Sequence, residues 1–129
     1  MRFDAAFWSM LDALVQNSAI IVDRPRGSAH PRFPDFIYPL DYGYLAGTAS
    51  MDGGGIDVWR GTDPAGRLDA LLVTVDAHKR DSEIKLLLGC TEAEKQIIYQ
   101  VQNEEGMHAL LIRRDEDGDQ TTKEERPCP

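Results

Sequence analysis

The stretch Tyr38-Pro39-Leu40-Asp41-Tyr42-Gly43-Tyr44, followed by Asp52-Gly53-Gly54-Gly55-Ile56-Asp57-Val58-Trp59, concentrates hydroxyls and carboxylates on backbone that three consecutive glycines allow to turn tightly. Asp52 and Asp57 flank that turn. Such a pair suits a hard divalent cation such as Mg²⁺, which takes oxygen ligands, keeps several waters and is completed by the phosphates of a substrate. Farther along, Asp81, Glu83 and Lys85 share one face of an alternating segment, because strand side chains repeat every second residue. Upstream, Arg24, Arg26 and Arg32, with His30 between them, lie on backbone stiffened by Pro25, Pro31 and Pro34. Guanidinium groups bind phosphate bidentately and stay charged at any relevant pH. Acids that recruit cations and arginines that meet phosphate describe chemistry on a small phosphorylated anion.

The elements that must position these groups are short. Phe3, Phe7, Met10 or Leu11, Leu14 and Val15 recur at three-to-four spacing and predict an amphipathic helix over residues 3–17, packed on the main body or on a second subunit. Residues 19–22 read as a strand, and the proline-rich run 23–34 as loop or extended edge. Extended pieces are expected at 36–38 and 42–45, then strands at 56–61, 68–75 and 82–88, with turns at 62–66 and 76–80. Thr91 can cap a helix with Glu92 and Glu94 in its first turn and Ile97, Ile98 and Val101 on its apolar side, fading near Asn103. Residues 107–112 complete the strands, and 115–129 have the composition of a disordered acidic tail. Many short strands with a helix near each end predict a mainly β fold, a small antiparallel barrel, in three parts: helix 1–18, barrel domain 19–114 and tail 115–129.

Composition sets the outer limits. With 14 basic and 22 acidic residues the chain carries −8, and the tail alone holds six acids and two bases. That balance argues against nucleic acid, whose phosphates reward positive surface. No apolar run approaches the roughly 18 residues of a membrane span, since Asp4 and Asp12 interrupt the N-terminal segment. That segment also lacks a small-residue cleavage site, so no secretory signal is expected. Cys90 and Cys128 read as free thiols of a cytoplasmic protein.

The Tyr38-to-Tyr44 segment and the Asp52-to-Val58 loop resemble the signature of soluble, metal-dependent family I inorganic pyrophosphatases, Tyr-Pro-x-x-Tyr-Gly-Tyr followed by Asp-Gly-Asp-Pro-x-Asp-Val. The resemblance covers residues 20–112 and implies a five-stranded OB-like barrel with flanking helices. It implies that Asp52 and Asp57 bind metal and that Tyr38 and Tyr42 line the site and contact phosphate. Glu83-Ile84-Lys85 resembles a later Asp-x-Lys motif, a metal ligand followed by a phosphate-contacting lysine, and Arg32 falls where the family has a phosphate-binding lysine. The chain departs from the pattern at Gly54, where the family has its middle aspartate, at Gly55 in place of proline, and at His78, where a further metal aspartate falls. Asp76 or Asp81 stands close enough in sequence to supply that carboxylate. A hairpin carrying another arginine and a C-terminal Tyr-Lys pair also lack counterparts.

The activity this implies is metal-assisted hydrolysis of pyrophosphate, slow or altered in its phosphoanhydride. Mg²⁺, or Mn²⁺ as a softer alternative, would be held by Asp52, Asp57, Glu83 and Asp81. Asp57, Tyr42 and Lys85 are the expected catalytic groups, with Arg32, Arg24, Tyr38, Tyr42 and Lys85 on the substrate. Without a carboxylate at position 54 the base falls to Asp41, Asp57 or Asp81, or to the metals alone. The competing expectation is a degenerate domain that binds diphosphate or a nucleotide without hydrolysis. A homo-oligomer, with no nucleic-acid or membrane partner, completes the reading.

Overall fold

A computed structural model of the chain describes residues 4–104 and 106–114. The expected acidic tail, Cys128 and Phe3 lie outside the described residues. The elements run α1 (Asp4–Gln16), β1 (Ile20–Arg24), β2 (Asp41–Leu45), β3 (Asp57–Arg60), β4 (Leu68–Asp76), β5 (Asp81–Leu88), α2 (Glu92–Val101) and β6 (Met107–Arg113).

The fold is mainly β with one helix near each end, as expected. The six strands form one sheet in the order β1-β2-β3-β5-β4-β6. Two details differ from an antiparallel barrel. Strands β3 and β5 pair in parallel, Asp57 opposite Lys85 and Trp59 opposite Leu87, while the other neighbours are antiparallel. The sheet is also open, with β1 and β6 as its edges. The parallel pair arises because β4 swings past β5 and leaves it to dock beside β3, a register that no short-range turn signal encodes. Residues 36–38, expected to be extended, form no named strand and instead meet the proline-rich loop through an isolated bridge between Ala29 and Ile37 and the backbone hydrogen bonds around it.

Both faces of the sheet are covered. On one, Trp8 of α1 packs with Leu45, Val58, Leu71 and Leu86, joined by Leu11 and Val15. The helix therefore covers its own sheet. Its inward stripe is Trp8, Leu11 and Val15; of the expected apolar positions Leu11, rather than its alternative Met10, and Val15 face inward, whereas Phe7 and Leu14 are exposed. The two stripes have the same spacing, so periodicity could not choose between them. On the other face, Tyr38, Trp59, Leu72 and Leu87 pack with Ile98 of α2. Ile98 is fully buried but Ile97 is 45% exposed, because Lys95 takes the remaining inward position and pairs with Asp69 and Glu92. Among the described residues no helix is long and apolar enough to cross a membrane.

Thr91 caps α2 as expected and closes a reciprocal box with Glu94. Glu94 also accepts from Thr62 N–H and Oγ1, at 3.1 and 2.6 Å, which ties the helix start to the β3–β4 turn. Cys90, just before the cap, is a buried free thiol whose pKa burial pushes up to about 12, so it is unreactive near neutrality.

Gly43 is required by close approach. It lies opposite Val22, and a Cβ built on it would fall 1.8 Å from the Ile21 carbonyl oxygen. Gly43→Ala is expected to force β1 away from β2 and to cost about 3 kcal/mol or more, overpacking against backbone that has no rotamer to yield. Urea titration measures that loss, and amide exchange should show it concentrated in Ile20–Arg24.

Candidate functional site

Three strands bring one ammonium group and three oxygens together. Lys85 on β5 is 6% exposed, and its Nζ donates to Tyr42 Oη at 2.7 Å, Asp57 Oδ2 at 2.9 Å and Glu83 Oε1 at 3.0 Å. The parallel register sets Asp57 directly across from Lys85, strand alternation brings Glu83 onto the same face, and Tyr42 arrives from β2, where it pairs with Trp59. An ammonium has three donors, so all of them are used. Burial would lower the Lys85 pKa, but the Tyr42 oxygen and the Asp57 and Glu83 carboxylates hold it above the usual lysine range. Burial raises Tyr42 well above the usual phenol range, with Asp57 adding to the shift. At neutral pH the centre holds a protonated lysine beside a neutral tyrosine.

From Tyr42 an aromatic chain leads outward. Its ring lies 4.6 Å from Trp59 and 5.6 Å from Tyr38, centroid to centroid. The buried Trp59 Nε1–H has no partner among the described residues. Arg24 Nη1 donates to Tyr38 Oη at 2.6 Å, and its guanidinium lies 5.7 Å from that ring's centroid. His30 stacks on Tyr38 at 6.1 Å and 10°. The proline-rich loop therefore has a defined shape. Tyr38 N–H donates to Ser28 O, Gly27 N–H to Tyr38 O and His30 N–H to Phe36 O.

The acids expected to hold metal converge only in part. Glu83 and Asp57 meet on Lys85. Asp52 sits on the glycine turn, where Ser50 Oγ and the Gly54 N–H donate to its Oδ1 at 2.6 and 2.9 Å. The Ser50 bond, then the Gly54 bond, hold its carboxyl below the usual range. Asp81 begins β5, opposite Asp76. Among the described residues no group of three or more His, Cys, Asp or Glu side chains is arranged to hold a metal ion. The donor set does not fit a resident divalent ion in this arrangement, because the Lys85 ammonium stands where two of the carboxylates meet.

The other candidates are accounted for individually. Asp41 is engaged away from this centre, accepting from Arg26 N–H at 2.9 Å and Arg60 Nη2 at 3.1 Å, and the Arg26 bond leads in lowering its pKa. Asp76 Oδ1 accepts from the backbone N–H of His78 and of Lys79, shaping the β4–β5 turn. The His78 ring lies against Gly106. Arg32 is exposed beside His30. Sequence reasoning did not single out Lys79, whose charge acts on His30 together with Arg24 and Arg32. A cavity of about 330 Å³ also lies beside Leu11, Met51, Ile56, Val73 and Ile84, reaching Asp57 and Glu83 at its edge. Its lining is predominantly apolar, which offers an anion little.

No protein-family model and no curated protein sequence matches the chain. Solved structures do. An inorganic pyrophosphatase from Neisseria gonorrhoeae matches at 16% identity and a TM-score of 0.57, covering 81% of this chain and 86% of that one. An inorganic pyrophosphatase from Helicobacter pylori matches at 13% identity and a TM-score of 0.52, covering 74% and 84%. At such identities the likeness is one of fold.

Lys85→Met removes the ammonium and leaves Asp57 and Glu83 as two unpaired, largely buried charges. The expected loss is about 3–5 kcal/mol, read from chemical denaturation near neutral pH. Adding Asp57→Asn should recover part of it, a positive coupling in the double-mutant cycle. Independent, additive losses would show that the pair does not act as a unit.

Proposed function

We propose that this chain binds inorganic pyrophosphate, or a phosphoanhydride of the same shape, on the tyrosine and arginine side of its sheet and hydrolyses it slowly to phosphate. The observation that carries the reading is the continuous line from Lys85 through Tyr42 and Tyr38 to Arg24, on a fold shared with inorganic pyrophosphatases. Arg24, Arg32 and Tyr38 take the phosphates. Charge-assisted hydrogen bonds from guanidinium groups stabilise the charge that develops as the bridging P–O bond breaks and one phosphate leaves. Tyr42, held by Lys85, is the neutral hydroxyl between that anion and the carboxylates. Asp57 is the group assigned to take the proton of the attacking water. Lys85 positions both, holding Asp57 and Tyr42 in one geometry.

Slow turnover follows from the residues present. Glycine at position 54 brings no carboxylate to the turn, and Asp57 and Glu83 already accept from Lys85. The same facts favour a second reading, in which the domain binds the diphosphate and leaves it intact. Asp52, Asp57, Glu83 and Asp81 remain the acids that added Mg²⁺ or Mn²⁺ would seek.

Phosphate release from pyrophosphate, followed with Mg²⁺, with Mn²⁺ and with chelator, separates the two readings. Hydrolysis predicts release that depends on protein concentration and falls roughly 10²-fold or more in Asp57→Asn, the usual scale for losing a general base. Calorimetric binding by the same variant should survive, and its circular dichroism should match the parent. Binding without release under all three conditions would establish the second reading.

A further inference from the structure

We infer that the diphosphate taken up on this face is that of a nucleoside diphosphate, whose base stacks on the aromatic surface of Phe33 and His30 while Arg24 and Tyr38 meet its phosphates. The inference rests on the reading that a diphosphate binds beside Tyr38, and adds what that diphosphate is attached to.

The first ground is an aromatic run longer than a phosphate site requires. Beyond Tyr38 the rings continue: His30 stacks on it at 6.1 Å and 10°, Phe36 meets it edge-on at 5.0 Å, and Phe33 lies 5.0 Å from His30 at 47°. Tyr38 is 5% exposed and Phe33 is 65% exposed. The run therefore begins in the core and ends in solvent. A phenylalanine that keeps most of its surface in water gains little from folding, so its ring is available to a planar ligand.

The second ground is that the loop fixes this ring. Phe36 N–H donates to Phe33 O and His30 N–H to Phe36 O, both at 2.9 Å, while His30 Nδ1 accepts from the backbone N–H groups of Arg32 and Phe33 at 3.0 and 3.2 Å. Pro31 and Pro34 restrict the backbone on either side of Phe33. A platform ordered before the ligand arrives loses little freedom on binding. With Nδ1 accepting, the neutral His30 ring carries its proton on Nε2 and can donate there.

The third ground is the guanidinium on the same run. Arg24 Nη1 donates to Tyr38 Oη at 2.6 Å, and its Cζ lies 5.7 Å from the centroid of the ring on which His30 stacks. Four aromatic rings can also enclose a cation, but the charge of Arg24 on Tyr38 disfavours a second one there. A ligand that joins a planar π system to phosphates suits rings and guanidinium together. Bases stack on Phe and His side chains, and the stack accepts any base because each has a π face. A nucleic-acid chain is disfavoured by the net charge of −8, which a single nucleotide meets only locally.

Isothermal titration of the full chain with adenosine diphosphate and with pyrophosphate, each with and without Mg²⁺, tests the inference. Adenosine diphosphate is expected to bind the more tightly. Phe33→Ala should reduce that preference roughly tenfold, the scale of one base–aromatic stack, and Phe33→Trp, which keeps a planar ring, should retain it. Ring-proton resonances of Phe33 and His30 should move upfield with adenosine diphosphate and not with pyrophosphate. Binding of pyrophosphate with no preference for the nucleotide would overturn the inference and leave the proposed function standing. A preference indifferent to Phe33→Ala, or a single-stranded oligonucleotide bound more tightly than adenosine diphosphate, would also overturn it. Binding of neither ligand, with or without Mg²⁺, would remove the underlying reading as well.

Discussion

A charged amine buried in a sheet is the constraint around which this molecule is arranged. Taking an ammonium out of water costs several kcal/mol even after relaxation, and the cost is offset only where good geometry and full hydrogen bonding surround it. Lys85 meets both conditions through partners on three strands. Each partner depends on a different piece of topology: Asp57 on the parallel β3–β5 register, Glu83 on alternation within β5, and Tyr42 on the antiparallel β2–β3 pairing. A one-residue slip of β3 would turn Asp57 to the other face and leave the ammonium short of a counter-charge. The buried charge thus disfavours alternative registers, which adds specificity to a sheet whose apolar strands tolerate sliding.

Much of this was readable from the residues because local rules reach that far. Alternation placed Glu83 and Lys85 on one face, and the Thr91 cap followed from hydrogen-bonding chemistry. The mainly β class with a helix near each end followed from the number and length of apolar runs. What could not be read depends on distant pairing. The spacing of Asp57 and Lys85 carries no hint that they lie opposite in a parallel pair, or that the ammonium would fill the point where metal ligands were expected to meet. Trp8 and Phe7 head stripes of equal spacing, and only docking onto Val58 and Leu86 decides which one is buried.

The likeness to pyrophosphatases and the departures from their pattern obey different physics. A sheet with two covered faces survives wide substitution provided that volume and patterning are kept, so 16% identity is compatible with a shared fold. A site depends on individual groups. The glycine at position 54 is not imposed by crowding, since a Cβ there would meet only Asp52 Oδ1, at 3.4 Å. The turn has room for a side chain and carries none. Lys85 and Glu83, by contrast, are held by partners that a substitution would strand. Side chains bound into the fold by buried partners are costly to replace, whereas a turn position with room to spare is not.

Charge placement then decides which anions such a surface favours. At −8 the chain as a whole repels polyanions, and over distances beyond about 10 Å that repulsion is already screened by physiological salt. Inside that distance a small ligand experiences the nearest charges, such as Arg24 beside Tyr38, rather than the average charge. A diphosphate is short enough to remain within that distance of such a charge. An uneven distribution of charge of this kind favours a compact, highly charged ligand over an extended one, without any contact that reads the ligand's identity.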